Sequence, residues 1–236
     1  MRQRLTNIES AIRRLTDHCI DNPVAVNVIP ITPASTLYSN EAAIVKNAVD
    51  KRKNEFCCGR NLFRLLLDTY NFPSCEILRG NLGQPLLPDN FIGSISHDEA
   101  VVAGVLMRKG LSIKAIGIDI VGPSSHVGYD LMPSFSSDEE IHRLFTKKTT
   151  LSPLKVIFSV KESVIKILSP LLQTYISPQD IILANSRQKI LARYKHKPDL
   201  LIQAHWSESE GFIVSLATMY STWRAVESSI RQSKAP

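Results

Sequence analysis

The stretch from Ala115 to Lys166 constrains this chain most, because it begins with one acid inside an apolar run. Residues 115–120 read AIGIDI, which predicts a buried strand that carries Asp119. A buried carboxylate is costly unless a cation or hydrogen-bond donors meet it. Asp119 therefore requires a partner, unless it is a strand-end or capping residue, which a single acid in a strand often is.

The end of the same stretch predicts a long helix that carries an acid and two lysines. At about 100° per residue, its apolar side comprises Val160, Val164, Ile167 and Leu171. Glu162 and Lys166 share the opposite, polar side, one turn apart. Lys161 falls within the apolar arc, which rarely carries a bare ammonium. We interpret Asp119 and Glu162 as a metal-binding pair. Lys161 and Lys166 then face an anion beside the metal.

Each feature of this helix also has a structural explanation that the sequence leaves open. A Glu/Lys pair at helical spacing is usually a surface pair that contributes a few tenths of a kcal/mol. Lys161 could extend its stem past the core to water.

The segment from Asn40 to Tyr70 predicts one long helix without an internal proline. One side of it combines two arginines with apolar residues, namely Arg52, Phe56, Arg60, Phe63, Leu67 and Tyr70. Guanidinium groups suit bidentate phosphate contacts, and Gly59 would leave room for a close approach. The alternative is that both arginines extend over the edge of the core.

The region from Glu76 to His97 predicts a short strand over residues 76–79, a loop rich in glycine and proline, and a second strand over 91–97. The second strand ends at Ser96 and His97. Its sequence GSISH lacks the second glycine of a nucleophile elbow, which disfavours a serine hydrolase. A lone histidine such as His97 is more often structural than functional.

Composition limits the classes of protein that fit. The 236 residues are 44% hydrophobic and carry a net charge of +6, which permits an anionic partner but does not require one. A nucleic-acid binder is disfavoured because no tract of lysines and arginines is interleaved with aromatic residues. The four cysteines form no C-x-x-C pair, and the sequence contains neither a signal peptide nor a transmembrane run. We expect a cytoplasmic protein with reduced thiols.

The predicted elements run in the order helix and strands, a long connection, then helix and strands again. This order favours two halves of similar make-up, divided near Gly110, with a site between them. We expect residues 122–152 to form a mobile insertion with a short helix near Ser137. The chain from Ser221 onward is predicted to be a frayed helix.

Five motifs follow one another along the chain. They are residues 52–56 with Gly59 and Arg60; Arg79 with residues 83–85 and Pro88; residues 93–97; residues 117–120; and residues 158–162 with Lys166. In this order and spacing they resemble the 4'-phosphopantetheinyl transferases, in the branch that acts with siderophore and peptide synthetases. The resemblance spans about residues 45–170.

The resemblance implies a fold and a reaction. The fold is α/β (α+β), with two pseudosymmetric subdomains at residues 1–112 and 113–236, each a small sheet packed with a long helix. The active site lies in the cleft between them. The reaction moves the phosphopantetheine arm of coenzyme A to a serine of an apo acyl, aryl or peptidyl carrier protein. It depends on Mg²⁺ and releases 3',5'-ADP.

The resemblance also implies roles for particular residues. The predicted contacts of the coenzyme A phosphates are Arg52, Arg60, Arg79, Ser96 and His97. Asp119 and Glu162 bind Mg²⁺, and Lys161 and Lys166 face the pyrophosphate or the leaving group. Glu162, directly or through a water, takes the serine proton, and Lys166 stabilises or protonates the departing phosphate. Such a reaction depends mainly on positioning and on positive charge against the phosphate oxygens.

One departure from the family pattern leaves an alternative open. Many members place a second acid two residues after the aspartate, where this chain has Val121. The alternative function is a non-catalytic module that binds coenzyme A or phosphate. We expect a monomer, and Lys147 and Lys148 are candidates for docking an acidic carrier protein unless they form a solvated basic turn.

Overall fold

A computed structural model describes residues 1–34, 36–110, 112–145, 152–186 and 189–221. The long helices are α1 (Arg2–Cys19), α3 (Asp50–Asp68) and α5 (Pro153–Leu172), and the short ones are α2 (Ser39–Ile44) and α4 (Asp138–Leu144). The strands are β1 (Ala25–Pro30), β2 (Phe91–Asp98), β3 (Val101–Arg108), β4 (Ile113–Val121), β5 (Ile181–Ser186), β6 (Lys189–Tyr194), β7 (Lys197–Ser209) and β8 (Phe212–Tyr220). Single 3-10 turns lie at Met132–Ser134 and Pro178–Asp180.

The first sheet is antiparallel, with strand order β1-β3-β2. Helix α3 packs against it through Leu62, Phe63, Leu66 and Leu67, all of which are buried. These leucines and the phenylalanine recur at helical spacing, so one face of α3 is continuously apolar.

The second sheet is also antiparallel, with strand order β4-β8-β7-β6-β5. Helix α5 crosses its β4, β8 and β7 strands and buries Val160, Val164, Ile167 and Leu168 against them. Ser152 caps the start of α5 through its hydroxyl, and Pro153 at the first helical position needs no partner for an N–H. The apolar arc predicted from the sequence is therefore the buried face of this helix.

A further apolar cluster joins the two sheets. It combines residues of α1, β1, β3, β4 and β8, including Ile8, Ile12, Val28, Val105, Ile116, Ile118 and Val214. Because α1 contacts β1, β7 and β8, it covers this shared core from one side. The two sheets thus pack as one body around a common interior.

The fold-class prediction is confirmed, since the chain is mixed α/β with two small antiparallel sheets and a long helix on each. The short helix predicted near Ser137 is α4, which is capped by the Ser137 hydroxyl oxygen accepting a hydrogen bond from the Glu140 amide. The division at residue 112 stays a prediction. The predicted helix from Ser221 lies almost wholly outside the described residues. Within the parts of the chain that the structure describes, no helix is long and apolar enough to cross a membrane.

Two predicted elements are wrong. The segment 40–70 is two helices, because buried Glu41 of α2 is held in place by the Ile77 amide and the Arg64 guanidinium, and the chain turns before α3 begins. Residues 76–79 form an isolated bridge from Arg79 to Pro85 rather than a strand. Leu78 pairs with Leu86 of its own loop, so this segment does not join a sheet.

Candidate functional site

Helix α5 approaches the backbone of strand β4 closely at Gly117. A Cβ atom on Gly117 would lie 2.0 Å from the carbonyl oxygen of Ser163 and 3.2 Å from Cγ1 of Ile167. The helix backbone therefore rests directly on the strand, which a side chain at this position would prevent. This contact brings the polar side of α5, with Glu162 and Lys166, to the acid of β4.

Asp119 is buried, and its two carboxylate oxygens have different surroundings. Oδ1 accepts hydrogen bonds from the Ser96 hydroxyl and from the Lys166 ammonium, both at 2.8 Å. Lys166 also donates to the carbonyl of Ile118, at 2.8 Å. Oδ2 is buried and has no hydrogen-bond partner among the described residues. An unpaired buried carboxylate oxygen is costly, so Asp119 has an open position for a cation.

Glu162 adds a second negative charge to the same place. Burial raises the pKa of the Glu162 carboxyl, the Asp119 charge raises it further, and Lys166 lowers it. Two carboxylates thus face one ammonium, which leaves an excess of one negative charge. The raised pKa makes Glu162 a stronger proton acceptor than an exposed glutamate.

This pair fits a magnesium ion. Mg²⁺ usually takes one or two protein carboxylates and fills its remaining positions with water and substrate phosphate oxygens. The described residues contain no group of three or more histidine, cysteine or acidic side chains that could hold a metal. Val121, at the position of the missing acid, is buried in the apolar cluster beneath α5. A metal here would therefore have two protein ligands, Asp119 and Glu162.

A cavity of about 770 Å³ opens beside the acidic pair. It lies between the glycine- and proline-rich loop, the start of β2 and the polar side of α5. Its charged lining residues are Asp89, Lys114, Glu162 and Lys166, and the remaining wall is largely apolar. The cavity is large enough for a small-molecule substrate that reaches the acidic pair.

A group of four arginines lies in the first half of the chain, and we call it the basic group: Arg52, Arg60, Arg64 and Arg79. Arg60 is 5% exposed and its guanidinium stacks 4.1 Å from the centre of the Phe56 ring. Its Nη2 donates to the carbonyl of Leu78 at 3.3 Å, while its Nε lacks a partner within the described part of the chain. Burial lowers the pKa of Arg60 to about 10; Glu41 opposes this shift, and the other three arginines add to it.

Among the described residues, two acids accompany these four guanidiniums at close range, because Nη1 of Arg52 also lies 3.2 Å from Oε2 of Glu55. Arg64 forms an ion pair with buried Glu41. Four guanidiniums against these two carboxylates leave an excess of positive charge, so the basic group suits an anion with several charges.

His97 connects the basic group to the acidic pair. Its Nε2 lies 3.2 Å from Nη1 of Arg52 and 3.8 Å from Oε2 of Glu55. Burial lowers the pKa of His97 below its ordinary value; Arg52 and Lys166 lower it further, while Glu55 and Asp98 oppose the shift. The charges of Arg52, from the basic group, and of Lys166, beside the acidic pair, therefore both act on His97.

Sequence profiles of two families match this chain. The 4'-phosphopantetheinyl transferase N-terminal domain matches residues 40–107, which include the basic group and His97. The 4'-phosphopantetheinyl transferase superfamily matches residues 115–217, which include the acidic pair. The chain belongs to the 4'-phosphopantetheinyl transferase superfamily. The family predicted from the five motifs is confirmed.

Curated transferases of this superfamily are similar over part of the chain. Svp of Streptomyces mobaraensis is 33% identical over 145 residues, which cover 60% of this chain and 58% of Svp. PptT of Mycobacterium tuberculosis is 28% identical over 154 residues, which cover 63% of this chain and 65% of PptT. Enterobactin synthase component D of Escherichia coli O157:H7 is 29% identical over 176 residues, which cover 74% of this chain and 81% of the relative. The match therefore spans less than two thirds of Svp and of PptT.

Two contacts predicted for this member of the superfamily are not placed as expected. Lys161 was expected to face phosphate, but its Nζ lies 2.7 Å from Oε2 of Glu140 and 2.7 Å from the carbonyl oxygen of Phe135. The reason is that Lys161 lies on the buried arc of α5, about 100° from Glu162, where α4 packs. Ser96 was expected to contact coenzyme A, but its hydroxyl proton is donated to Asp119.

Sequence reasoning missed three residues near the site. Arg64 follows Arg60 by four positions, so helical spacing could have added it to the basic group. Glu140 follows Ser137 by three positions in the predicted short helix, and the sequence gives no signal that it neutralises Lys161. Asp98 follows His97 directly, and nothing in the sequence indicates that its carboxylate accepts hydrogen bonds from Gly122 and Ser125.

Proposed function

We propose that this chain transfers the 4'-phosphopantetheine arm of coenzyme A to a serine of an apo carrier protein and releases 3',5'-ADP. The observation that carries this proposal is the unpaired Oδ2 of Asp119, a residue that pairs through Oδ1 with Lys166; Lys166 and Glu162 line the cavity. The membership of the superfamily supports the reaction class.

In this proposal the basic group and His97 hold the phosphates of coenzyme A. Arg52, Arg60 and Arg79 were predicted from the sequence for this role, and Arg64 stands beside them. Arg60 has a buried Nε that is unpaired in the described residues, and a phosphate oxygen would satisfy it. The partly buried setting strengthens each guanidinium–phosphate contact compared with water.

Asp119 and Glu162 would hold Mg²⁺, which would supply positive charge against the pyrophosphate oxygens. Lys166 lies 2.8 Å from Asp119 and stabilises the charge that develops on the leaving phosphate. The carrier serine oxygen attacks the phosphorus next to the pantetheine, and the bond from that phosphorus to the oxygen of the leaving 3',5'-ADP breaks. The serine proton passes to the Glu162 carboxylate, directly or through a water.

The partner and compartment follow from the same reaction. We propose an acyl, aryl or peptidyl carrier protein as the acceptor, a cytoplasmic setting in keeping with four cysteines that form no disulfide in the described residues, and a monomeric enzyme. The lysines predicted to dock the carrier, Lys147 and Lys148, lie outside the described residues.

The test is incubation of the protein with coenzyme A, Mg²⁺ and a panel of apo carrier proteins, followed by mass spectrometry of the carriers. We expect one carrier to gain the mass of the arm, and this gain to disappear when EDTA is added. Glu162→Gln should abolish it. Glu139→Gln is the matched control, because Glu139 is exposed and pairs with Arg143 on α4. Binding of coenzyme A without any mass gain would instead support the non-catalytic module, for which the apolar Val121 is the argument.

A further inference from the structure

Strands β2 and β4 belong to different sheets, yet a row of side chains connects them. Ser94 Oγ accepts from the Ile118 amide at 3.1 Å, Ser96 Oγ donates to Asp119 at 2.8 Å, and Asp98 Oδ2 accepts from the Gly122 amide at 2.6 Å. Side chains two residues apart in a strand point to the same side. We call Ser94, Ser96 and Asp98 the polar seam. Their hydrogen bonds connect the two sheets, as backbone hydrogen bonds connect the strands within each sheet.

Asp98 is the most extensively bonded member of the polar seam. Its Oδ2 also accepts from the hydroxyl of Ser125, and its Oδ1 accepts from the amide of Glu99 at 2.8 Å. The neighbouring Glu99 carboxylate accepts from the amide of Ser124 at 2.6 Å. Two consecutive acids of the β2–β3 turn therefore hold the backbone that directly follows β4.

Helix α5 holds the same backbone from the other side. The ammonium of Lys155 donates to the carbonyl oxygens of Gly122 and Pro123, at 2.9 and 2.8 Å. Space is limited here, because a Cβ atom on Gly122 would lie 2.4 Å from Oε1 of Glu99. Glu99 itself has a φ of 49°, a conformation that non-glycine residues adopt only when the surroundings enforce it. The segment after β4 is fixed on both sides.

The position of Asp98 in the chain gives these bonds a functional meaning. It directly follows His97, and it holds a backbone amide three residues after Asp119. We propose that Asp98 is a positioning residue, which sets the spacing between His97 and Asp119, and so between the bound phosphates and the metal. This inference rests on the proposed function.

The test compares Asp98→Asn with Asp130→Asn. Asp130 is the matched control, since it is an exposed carboxylate of the same connection and pairs with His126. Calorimetry would measure the dissociation constant of coenzyme A with and without Mg²⁺, and the transfer assay would give the half-saturating Mg²⁺ concentration. Thermal denaturation would report stability.

We expect Asp98→Asn to raise the half-saturating Mg²⁺ concentration about tenfold, the lower end of the range for residues that orient metal ligands. The gain in coenzyme A affinity on adding Mg²⁺ should shrink by a similar factor. Affinity without Mg²⁺ should stay within about twofold, because the arginines are untouched. Ser125→Ala removes one donor to Asp98 and should shift the same quantities by a smaller factor, which keeps the test valid if Asp98→Asn does not fold.

An unchanged Mg²⁺ dependence in both variants, with or without a lower melting temperature, would overturn the positioning role. The failure of the proposed function is a separate result, in which the unmodified protein transfers nothing to any carrier. In that case the effect of Mg²⁺ on coenzyme A binding still decides whether Asp98 has the proposed role.

Discussion

Helix α5 carries two lysine–carboxylate pairs, one buried and one with a partly exposed lysine, and the two differ in how many of their carboxylate oxygens accept hydrogen bonds. Lys161 pairs with Glu140, whose Oε1 accepts from the Leu183 amide at 3.0 Å and whose Oε2 accepts from the Ser136 hydroxyl at 2.9 Å and from Lys161 at 2.7 Å. Lys166 pairs with Asp119, whose Oδ2 has no partner in the described part of the chain.

The comparison teaches which buried charge is structural and which is available for chemistry. Glu140 and Lys161 neutralise each other, and both carboxylate oxygens have donors, so this pair has no capacity for a ligand. At Asp119 an acceptor remains open and Glu162 adds a second negative charge. A buried charge alone is therefore a weak sign of function. An incompletely satisfied one beside a cavity is a stronger sign.

The largest expected effect is a loss of stability when the ion pair of Lys161 and Glu140 is broken. Lys161→Met leaves Glu140 buried without its cation, which should lower the free energy of unfolding by about 3–5 kcal/mol. Denaturant titration measures this loss. The double variant with Glu140→Gln should recover part of it, and the pantetheine-transfer rate of the folded fraction should be nearly unchanged. A large loss of rate at full folding would show that Lys161 contacts the substrate after all.

At the pair of Lys166 and Asp119 we expect a large loss of activity and a smaller loss of stability. Asp119→Asn removes a metal ligand but little packing, so we expect the transfer rate to fall by about 10²–10³-fold. The loss of unfolding free energy should be smaller than for Lys161→Met. Steady-state kinetics at several Mg²⁺ concentrations would measure the first quantity, and denaturant titration the second. Full activity at saturating Mg²⁺ would contradict the metal assignment.

A third buried group, His205, sharpens the comparison, because the described residues place no carboxylate among the charges that act on it. Burial lowers the pKa of His205 to about 4, and the charges of His18 and Lys189 add to the shift. Above pH 6.5 His205 is neutral in both states. As the pH falls below 6.5 the unfolded chain binds a proton that the folded chain does not, so stability should fall by about 2 kcal/mol at pH 5.

His205→Phe should remove this part of the pH dependence. Denaturant titrations at pH 7.5 and pH 5 would measure it, with His196→Gln as the control because His196 is largely exposed. An equal loss of stability in His205→Phe and the unmodified protein would show that His205 does not cause it.

The smallest expected effect concerns the connection between the basic group and the acidic pair. His97→Ala should weaken coenzyme A binding by about tenfold, the value of one hydrogen bond to a charged group. Calorimetry without carrier protein measures this change. His142→Ala, on the exposed surface of α4, is the control. Equal affinities in the two variants would remove His97 from the phosphate site.

The core of the site could be predicted from the sequence because period and spacing specify it. The strand with Asp119 and the helix with Glu162 and Lys166 follow from apolar periodicity, and the structure brings Asp119 and Lys166 together. Lys161 shows the limit. Periodicity indicates that Lys161 faces the interior. It does not reveal that Lys161 pairs there with Glu140, which lies twenty-one positions earlier in the chain.

The remaining errors have the same origin in long-range contacts. The turn between α2 and α3 depends on Glu41, whose partners Ile77 and Arg64 are distant in sequence. The hydroxyl of Ser96 could equally have faced phosphate or an acid, and only the packing of β2 beside β4 decides for Asp119. Local propensity cannot contain such information.

The close contact of Gly117 with the Ser163 carbonyl has a consequence for how this enzyme can evolve. Main-chain atoms, and not the bulk of interchangeable side chains, set the distance between the acid on the strand and the acid on the helix. Core residues elsewhere around α5 and the second sheet can therefore be exchanged among Val, Ile and Leu without changing the separation of the two carboxylates.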